Sequence, residues 1–203
     1  AGSGAREAAA LARAAHPRVV RLLATFAWKG RIVLALECLH WDLRTAYKAA
    51  ARARGRGETG SDVPTFGGLS VNVVRTVARD AGAALARVHA AGLVHLDVKP
   101  DNLLLDAASS RCVVADLGAA RDALEAPGDG YVAARYYRAP ELIVGGTRSG
   151  AADCWGLGVT LLECATGKVQ FRGGDSHALL RAAQRTLGPP PAHLLRAPAA
   201  ARY

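Results

Sequence analysis

The sequence of 203 residues predicts an α+β fold in which one helix and a β-hairpin precede a larger, mainly helical part. Three observations support this class. Hydrophobic residues make up 51% of the chain, which is enough to build a sizeable core. Apolar residues recur at helical spacing over long stretches. Short apolar runs on either side of a turn occur twice, which is typical of strand pairs. The length allows one domain or two small lobes that share a cleft.

The N-terminal elements are a helix and a hairpin. Residues 6–15 are strongly helix-forming, and a His-Pro pair follows them. Two apolar stretches, 18–28 and 31–39, are joined at Lys29 and Gly30. This pattern predicts a β-hairpin.

The next elements are a short helix, an insertion and a long helix. The short helix starts at about Asp42 and runs into residues 49–68, which are rich in Gly and Arg and have no periodicity. We expect a flexible, disordered surface insertion there. Ser70 is a plausible N-cap, and Gly92 ends the apolar pattern that follows it. The helical spacing is carried by Val74, Val77, Ala81, Leu85 and Val88.

The remaining elements complete the second half of the chain. Two short strands, 102–106 and 112–116, flank a turn at 107–110. An apolar helix is predicted over residues 151–166, and a last helix ends at the three prolines 189–191.

Composition narrows the class of protein. The four cysteines form no CxxC pair, which favours reduced thiols over disulfides or a zinc site and so favours an intracellular location, nucleus or cytoplasm. No apolar run is long enough to span a bilayer, and we expect no membrane association. The net charge of +9 comes mostly from scattered arginines without a recognisable binding module, so direct nucleic-acid binding is not expected.

The charged stretch "HLDVKPDNLLL" at residues 95–105 is the strongest chemical signal. It supplies Asp97, Lys99 and Asn102, and the second strand of the following hairpin ends in Asp116. Phosphoryl transfer needs such groups: oxygen ligands for divalent cations, a carboxylate for the acceptor hydroxyl and a cation for the transferred charge. The alternative is that these residues only cap turns around a tight loop.

The sequence resembles a eukaryotic protein kinase catalytic domain over nearly its whole length. "HLDVKPDN" resembles the catalytic loop, "DLG" at 116–118 the metal-binding motif, "APE" at 139–141 the end of the activation segment, and "DCWGLG" from Asp153 the start of a central helix. The resemblance implies a bilobal fold. Residues 1–39 would be an incomplete N-lobe, with helix C, two following strands and the hinge, and residues 40–203 most of a helical C-lobe.

The resemblance extends to a group of kinases, the CMGC group. "YVAARYYRAPELIVG" is similar to the activation-segment end of cyclin-dependent, mitogen-activated and glycogen synthase kinases, and "LALECLHWDL" resembles a cyclin-dependent kinase hinge. "HLDVKPDN" and "TGKVQFRGGDSHALL" favour the dual-specificity tyrosine-regulated branch, especially its pre-mRNA-processing kinase.

The resemblance implies ATP-dependent and Mg²⁺-dependent phosphorylation of serine and threonine hydroxyls on protein substrates. Asp97 would be the catalytic base, and Lys99 would contact the γ-phosphate. Asn102 and Asp116 would hold Mg²⁺. Asp101, in the same loop, would take no part in the chemistry.

The resemblance also implies a nucleotide site. Glu7 precedes the His-Pro turn at the spacing of the helix C glutamate, which pairs with the ATP-positioning lysine. The hinge would be Glu37 to Leu39, whose backbone groups bind adenine, with Leu36 as gatekeeper and Leu104 as the floor. An ordinary exposed glutamate is the alternative for Glu7.

Several departures from the family pattern affect the expected activity. Neither a glycine-rich loop nor a lysine precedes Glu7 in this chain, so we expect this piece alone to be inactive. Leu96 replaces an arginine that holds phosphorylated activation loops, and Ala134 replaces a hydroxyl residue that bonds the catalytic aspartate. A pseudokinase scaffold is therefore kept as the alternative function. A small-molecule phosphotransferase is disfavoured by "YYRAPE".

Regulation is expected to act through the activation segment. Tyr131 aligns with the activation-loop tyrosine of the group, and Arg135 and Arg138 are candidate partners for its phosphate. A tyrosine that only packs on the loop is the alternative. Besides the protein substrate, a regulatory protein is an expected partner.

Overall fold

Helices and short antiparallel strand pairs alternate along the chain in the computed structural model, which describes residues 2–55, 67–106, 109–125 and 134–196. The first helix, α1, spans Ser3–Arg13, and the hairpin consists of β1 (Leu22–Trp28) and β2 (Arg31–Leu36). The turn residues Lys29 and Gly30 both have positive φ, 49° and 73°, the geometry of a tight hairpin turn. The predicted helix and hairpin are confirmed.

The second helix extends into the segment that was predicted to be a flexible insertion. Strand β3 (Trp41–Asp42) leads directly into α2 (Leu43–Gly55), where the main-chain N–H of Thr45 donates to the Asp42 carboxylate at 2.7 Å. The prediction for residues 49–55 was therefore wrong, because alternating alanine and arginine are both good helix formers. Residues 56–66 lie outside the described ranges.

The long predicted helix is confirmed as α3, Val71–Ala90. The Ser70 side chain caps it by accepting a bond from the Val73 N–H at 3.5 Å. Its buried face packs against β6 (Arg111–Val114), which pairs with β5 (Leu103–Asp106). Strand β5 lies between β3 and β6 in a three-stranded sheet, and β4 (Leu93–Val94) pairs with β7 (Arg121–Asp122).

The C-terminal part is helical, as predicted. It contains α4 (Pro140–Ile143), α5 (Gly150–Thr166), α6 (Ser176–Leu187) and α7 (Ala192–Leu195). Three short 3₁₀ turns, at Pro100–Asn102, Leu117–Ala119 and Arg135–Tyr137, lie in the loops that form the site.

The main hydrophobic core joins α1, α3, α5 and the β5–β6 pair, and the α+β class is confirmed. A second cluster contains Tyr137, Val159, Phe171 and Ala183. Among the described residues, none of the helices is both long enough and apolar enough to cross a membrane.

Candidate active site

Helix α5 positions residues 95–102, the predicted catalytic loop, through one buried carboxylate. Asp153 is 1% exposed and accepts bonds from the main-chain N–H groups of His95 and Leu96, both at 2.8 Å. His89 Nε2 lies 2.8 Å from the same carboxylate. Leu96 has φ +66°, a left-handed conformation that is costly for leucine and has to be held by its surroundings.

The ring of His95 supports the next residue. His95 is fully buried, with Nε2 3.1 Å from the main-chain oxygen of Ala115, and its Nδ1 accepts a bond from the Asp97 N–H at 3.2 Å. The turn at Leu96 and this bond together set the direction of the Asp97 side chain.

The Asp97 carboxylate is held by three donors, two from its own loop and one from position 134. Lys99 Nζ donates to Oδ2 at 2.6 Å, and Asn102 Nδ2 donates to Oδ2 at 3.0 Å. The main-chain N–H of Ala134 donates to Oδ1 at 3.1 Å. A main-chain group thus binds Asp97 at a position where the side chain has no hydroxyl.

The second carboxylate loop meets the first. The Ala115 N–H donates to the main-chain oxygen of Asn102 at 2.9 Å, so the end of β6 lies against the catalytic loop. Asp116 follows in the left-handed region, φ +61°, and its Oδ1 accepts a bond from the Gly118 N–H at 3.3 Å.

Glu7 on α1 approaches the same place. A Cβ atom added at Gly118 would lie 3.1 Å from Asp116 Oδ1 and 3.5 Å from Glu7 Oε2, so glycine leaves room for both carboxylates. Burial raises the pKa of Glu7 above its ordinary value of 4.5, and the charge of Asp116 raises it further. The Glu7 and Asp116 carboxylates therefore both lie next to Gly118, where two negative charges favour binding of a cation.

The predicted nucleotide-pocket residues lie at the end of the hairpin and on β5. Leu36, Leu39 and Leu104 are half-buried against the main core. The Glu37 side chain accepts bonds from the Arg21 N–H at 2.9 Å and from Arg111 Nη2 at 3.1 Å. Its carboxylate therefore links the end of the hairpin to β6.

A buried polar cluster that the sequence analysis missed lies beside the catalytic loop. Glu163 of α5 is completely buried and accepts bonds from the hydroxyls of Tyr47 and Tyr137, both at 2.5 Å, and from Arg44 Nη1 at 3.2 Å. Arg44 also binds Asp101 through two bonds of 2.7 and 2.9 Å.

The ionisation of this polar cluster follows from its contacts. The hydrogen bond to Asp101 raises the pKa of Arg44, while burial, followed by the bond to Glu163, raises the pKa values of Tyr47 and Tyr137. The sequence contains one indication of this polar cluster. Glu163 is the single charged residue in the apolar stretch 156–167, and a charge that is buried with such a stretch needs polar partners.

The predicted regulatory residues have different surroundings. Tyr131 lies in residues 126–133, outside the described part of the chain. Arg135 Nη1 donates to the main-chain oxygen of Gly174 at 2.5 Å. Arg138 is only 6% exposed and lies beside Trp155 and Phe171.

Comparisons with known proteins agree with this geometry. The model of the family described as "Protein kinase domain" matches residues 3–189. Serine/threonine-protein kinase prp4 of Schizosaccharomyces pombe is 33% identical over 156 residues, which cover 77% of this chain and 30% of that protein. Dual specificity tyrosine-phosphorylation-regulated kinase 3 of Homo sapiens is 31% identical over 186 residues, which cover 91% of this chain and 29% of the relative.

A third relative extends the comparison. Protein kinase MCK1 of Saccharomyces cerevisiae is 31% identical over 194 residues, 91% of this chain and 48% of that protein. The chain therefore spans less than half the length of each of these three relatives. The predicted resemblance to the CMGC group is confirmed by these matches. The chain belongs to the protein kinase domain family, as a CMGC-type kinase domain.

Proposed function

We propose that this chain carries the catalytic loop of a protein serine/threonine kinase, which transfers a phosphoryl group from ATP to hydroxyls of protein substrates. The observation that carries the proposal is the Asp97 carboxylate, oriented by Lys99, Asn102 and the Ala134 N–H. The names of relatives such as serine/threonine-protein kinase prp4 support the choice of substrate hydroxyls.

The residues present fit a Mg²⁺–nucleotide complex. Asn102 Nδ2 donates to Asp97, which turns the carbonyl oxygen of the same amide away from that carboxylate. Asp116 supplies carboxylate oxygens one loop away, and hard oxygen ligands are what Mg²⁺ prefers. When bound, ATP supplies the phosphoryl group and Mg²⁺ offsets the charge of the phosphates. Asn102 and Asp116 would hold the metal, and Leu36, Leu39 and Leu104 would line the adenine pocket.

Asp97 would receive the proton of the substrate hydroxyl on Oδ1. Its Oδ2 accepts bonds from both Lys99 and Asn102, whereas Oδ1 accepts one bond, from Ala134. A carboxylate oxygen has two lone pairs, so Oδ1 retains one for the hydroxyl. Lys99 balances the charge of Asp97 and would contact the γ-phosphate. Glu7 would pair with the ATP-positioning lysine of a complete kinase domain.

The proposed switch is phosphorylation of Tyr131. Arg135 is exposed, and its guanidinium already binds a main-chain oxygen, so it is the more accessible phosphate partner; Arg138 would have to leave its buried position. Leu96 is buried and has no charge, so a phosphorylated loop would need these arginines rather than the catalytic loop.

The test compares the full-length protein with two Asp→Asn variants in a phosphate-transfer assay. Asp97→Asn removes the base and should lower kcat by about 10²–10⁴-fold. Asp122→Asn is the matched control, because Asp122 lies on β7 with an exposed side chain and pairs with Arg13. Equal transfer by wild type and Asp97→Asn would refute the catalytic role.

A non-catalytic scaffold is the second candidate function. The observation in its favour is the alanine at position 134, which leaves Asp97 and Lys99 without a hydroxyl partner from that side chain. A scaffold predicts that full-length wild type binds ATP or a protein partner but transfers no phosphate. The same assay, run beside an ATP-binding titration, separates the two functions.

A further inference from the structure

A surface recess of about 550 Å³ lies beside the predicted catalytic loop. Arg44, Lys99, Asp101, Ala134 and Tyr137 are among the residues that line it. Lys99 and Ala134 also bind the Asp97 carboxylate, so the recess adjoins the proposed base and is open to the parts of a substrate that flank its hydroxyl.

One wall of the recess holds two carboxylates around one guanidinium. Arg44 forms a two-pronged bond with Asp101 and reaches the fully buried Glu163 through Nη1. Its Nη2 also donates to the Tyr137 hydroxyl at 2.8 Å. The Arg44 side chain is 26% exposed and that of Asp101 43% exposed, so this ion pair faces the recess.

These contacts are the ones that a bound arginine ligand would make. A planar guanidinium that is shared between a two-pronged carboxylate, a second carboxylate and a tyrosine hydroxyl has high geometric specificity. Without Arg44, the same wall would carry the charges of Asp101 and Glu163 with no cation between them. It would then be an acidic subsite for a basic side chain of the substrate.

We infer that Arg44 is a specificity-determining residue, whose guanidinium fills an acidic subsite beside the catalytic loop and so excludes basic substrate side chains from it. The inference rests on the proposed kinase function. With Arg44 in place, the Asp101 and Glu163 carboxylates are already bound by a guanidinium, and Arg135 adds positive charge to the lining of the recess, so binding of a substrate arginine is disfavoured.

The first experiment measures peptide selectivity of the full-length protein. Each peptide of a set has one acceptor serine and a single arginine at one flanking position. Its kcat/KM is compared with that of the peptide that has alanine at the same position. Wild type should show no preference for arginine at any position. Arg44→Ala should raise the arginine-to-alanine ratio about ten-fold or more at one position, since bonds to charged groups have this magnitude.

A double variant provides the matched control. Adding Asp101→Asn to Arg44→Ala should remove the gain, because the vacated subsite then lacks its exposed carboxylate. An unchanged ratio in Arg44→Ala, or a gain that persists in the double variant, would overturn the inference. Failure of wild type to phosphorylate any peptide would instead refute the proposed kinase function.

A second measurement tests the vacated subsite without activity. Ethylguanidinium at millimolar concentration should raise the Tm of Arg44→Ala relative to wild type, since a ligand that binds only the folded state stabilises it. Ethylammonium, with the same charge but without the planar fork, should do so less. Equal Tm changes in wild type and Arg44→Ala would overturn the inference. If Arg44→Ala fails to fold, Arg44→Gln replaces it in both experiments, because glutamine keeps a polar side chain of similar length. The expected changes in the kcat/KM ratio and in Tm have the same direction.

Discussion

The Asp153 carboxylate accepts a 2.8 Å hydrogen bond from the main-chain N–H of Leu96, a leucine held at φ +66°. The residue that departs from the family's catalytic-loop pattern is therefore also the residue whose backbone is bent to aim Asp97. The bend belongs to the main chain and depends on Asp153, and the side chain of Leu96 only fills the core beneath it.

Replacing Asp153 should release this bend. In Asp153→Asn, one carboxylate oxygen becomes an NH₂ group that faces N–H donors, so we expect a loss of about 3 kcal/mol in the free energy of unfolding. Urea unfolding measures it. Asp175→Asn is the matched control: Asp175 caps α6 at an exposed site, where asparagine caps equally well. A loss in Asp153→Asn no larger than in the control would contradict the assigned role.

Removing the N–H at position 134 should slow catalysis without disturbing the fold. Ala134 has φ −64°, which proline adopts naturally, so Ala134→Pro deletes mainly the donor to Asp97. We expect kcat of the full-length protein to fall about ten-fold with little change in KM, because a charge-assisted bond is lost. Ala134→Gly retains the N–H and should retain kcat. A parallel fall in both variants would show that the loop, rather than the bond, matters.

The raised pKa of Glu7 predicts a pH-dependent stability. A carboxyl group whose pKa is higher in the folded than in the unfolded state stabilises the fold fully below its unfolded pKa, and this stabilisation is lost as the pH rises through the folded pKa. Glu7→Gln should therefore raise the Tm of this chain at neutral pH, and the difference should vanish below about pH 4, near the ordinary carboxyl value. Thermal melts across this range measure it.

The two causes of the Glu7 shift can be separated with Asp116→Asn. Burial remains in that background but the charge of Asp116 is gone, so the gain from Glu7→Gln should become smaller. A gain that grows on acidification would have the wrong sign and would refute the assignment of Glu7 to this buried, anionic place.

Replacing each of two glycines by alanine should change the free energy of unfolding in opposite directions. A Cβ atom at Gly68 would overlap the main-chain oxygen of Cys164 and lie 2.7 Å from the carbonyl carbon of Ala165, so Gly68→Ala should cost about 2–3 kcal/mol. Gly82 is in α3 with nothing within 4 Å of the added atom, and Gly82→Ala should stabilise by about 0.5–1 kcal/mol. Chemical denaturation of both variants measures the contrast.

The predictable parts of the fold are those with local signals. The spacing from Val74 to Val88 specifies the buried face of α3, and the Lys29-Gly30 pair marks the hairpin turn. The contact between the loops that carry Asp97 and Asp116 also has a local cause, because a short strand pair connects these loops. Helix α2 was underestimated, since its Arg and Ala residues were grouped with the glycines that follow them.

The missed parts of the site depend on contacts between distant residues. Arg44 and Glu163 are 119 positions apart, and each looks like an ordinary helical residue in its own segment. Only the tertiary packing of α2 against α5 brings them together. The Ala134 donor was missed for a different reason. It is a main-chain N–H group, so the identity of residue 134 does not indicate it.

The backbone bond to Asp97 also bears on how this position can evolve. An amide hydrogen is present whichever codon occupies position 134, with proline as the exception. The orientation of the proposed base therefore does not depend on which side chain position 134 carries. A mutation there can change the surface beside Asp97 while the hydrogen bond to the carboxylate is kept.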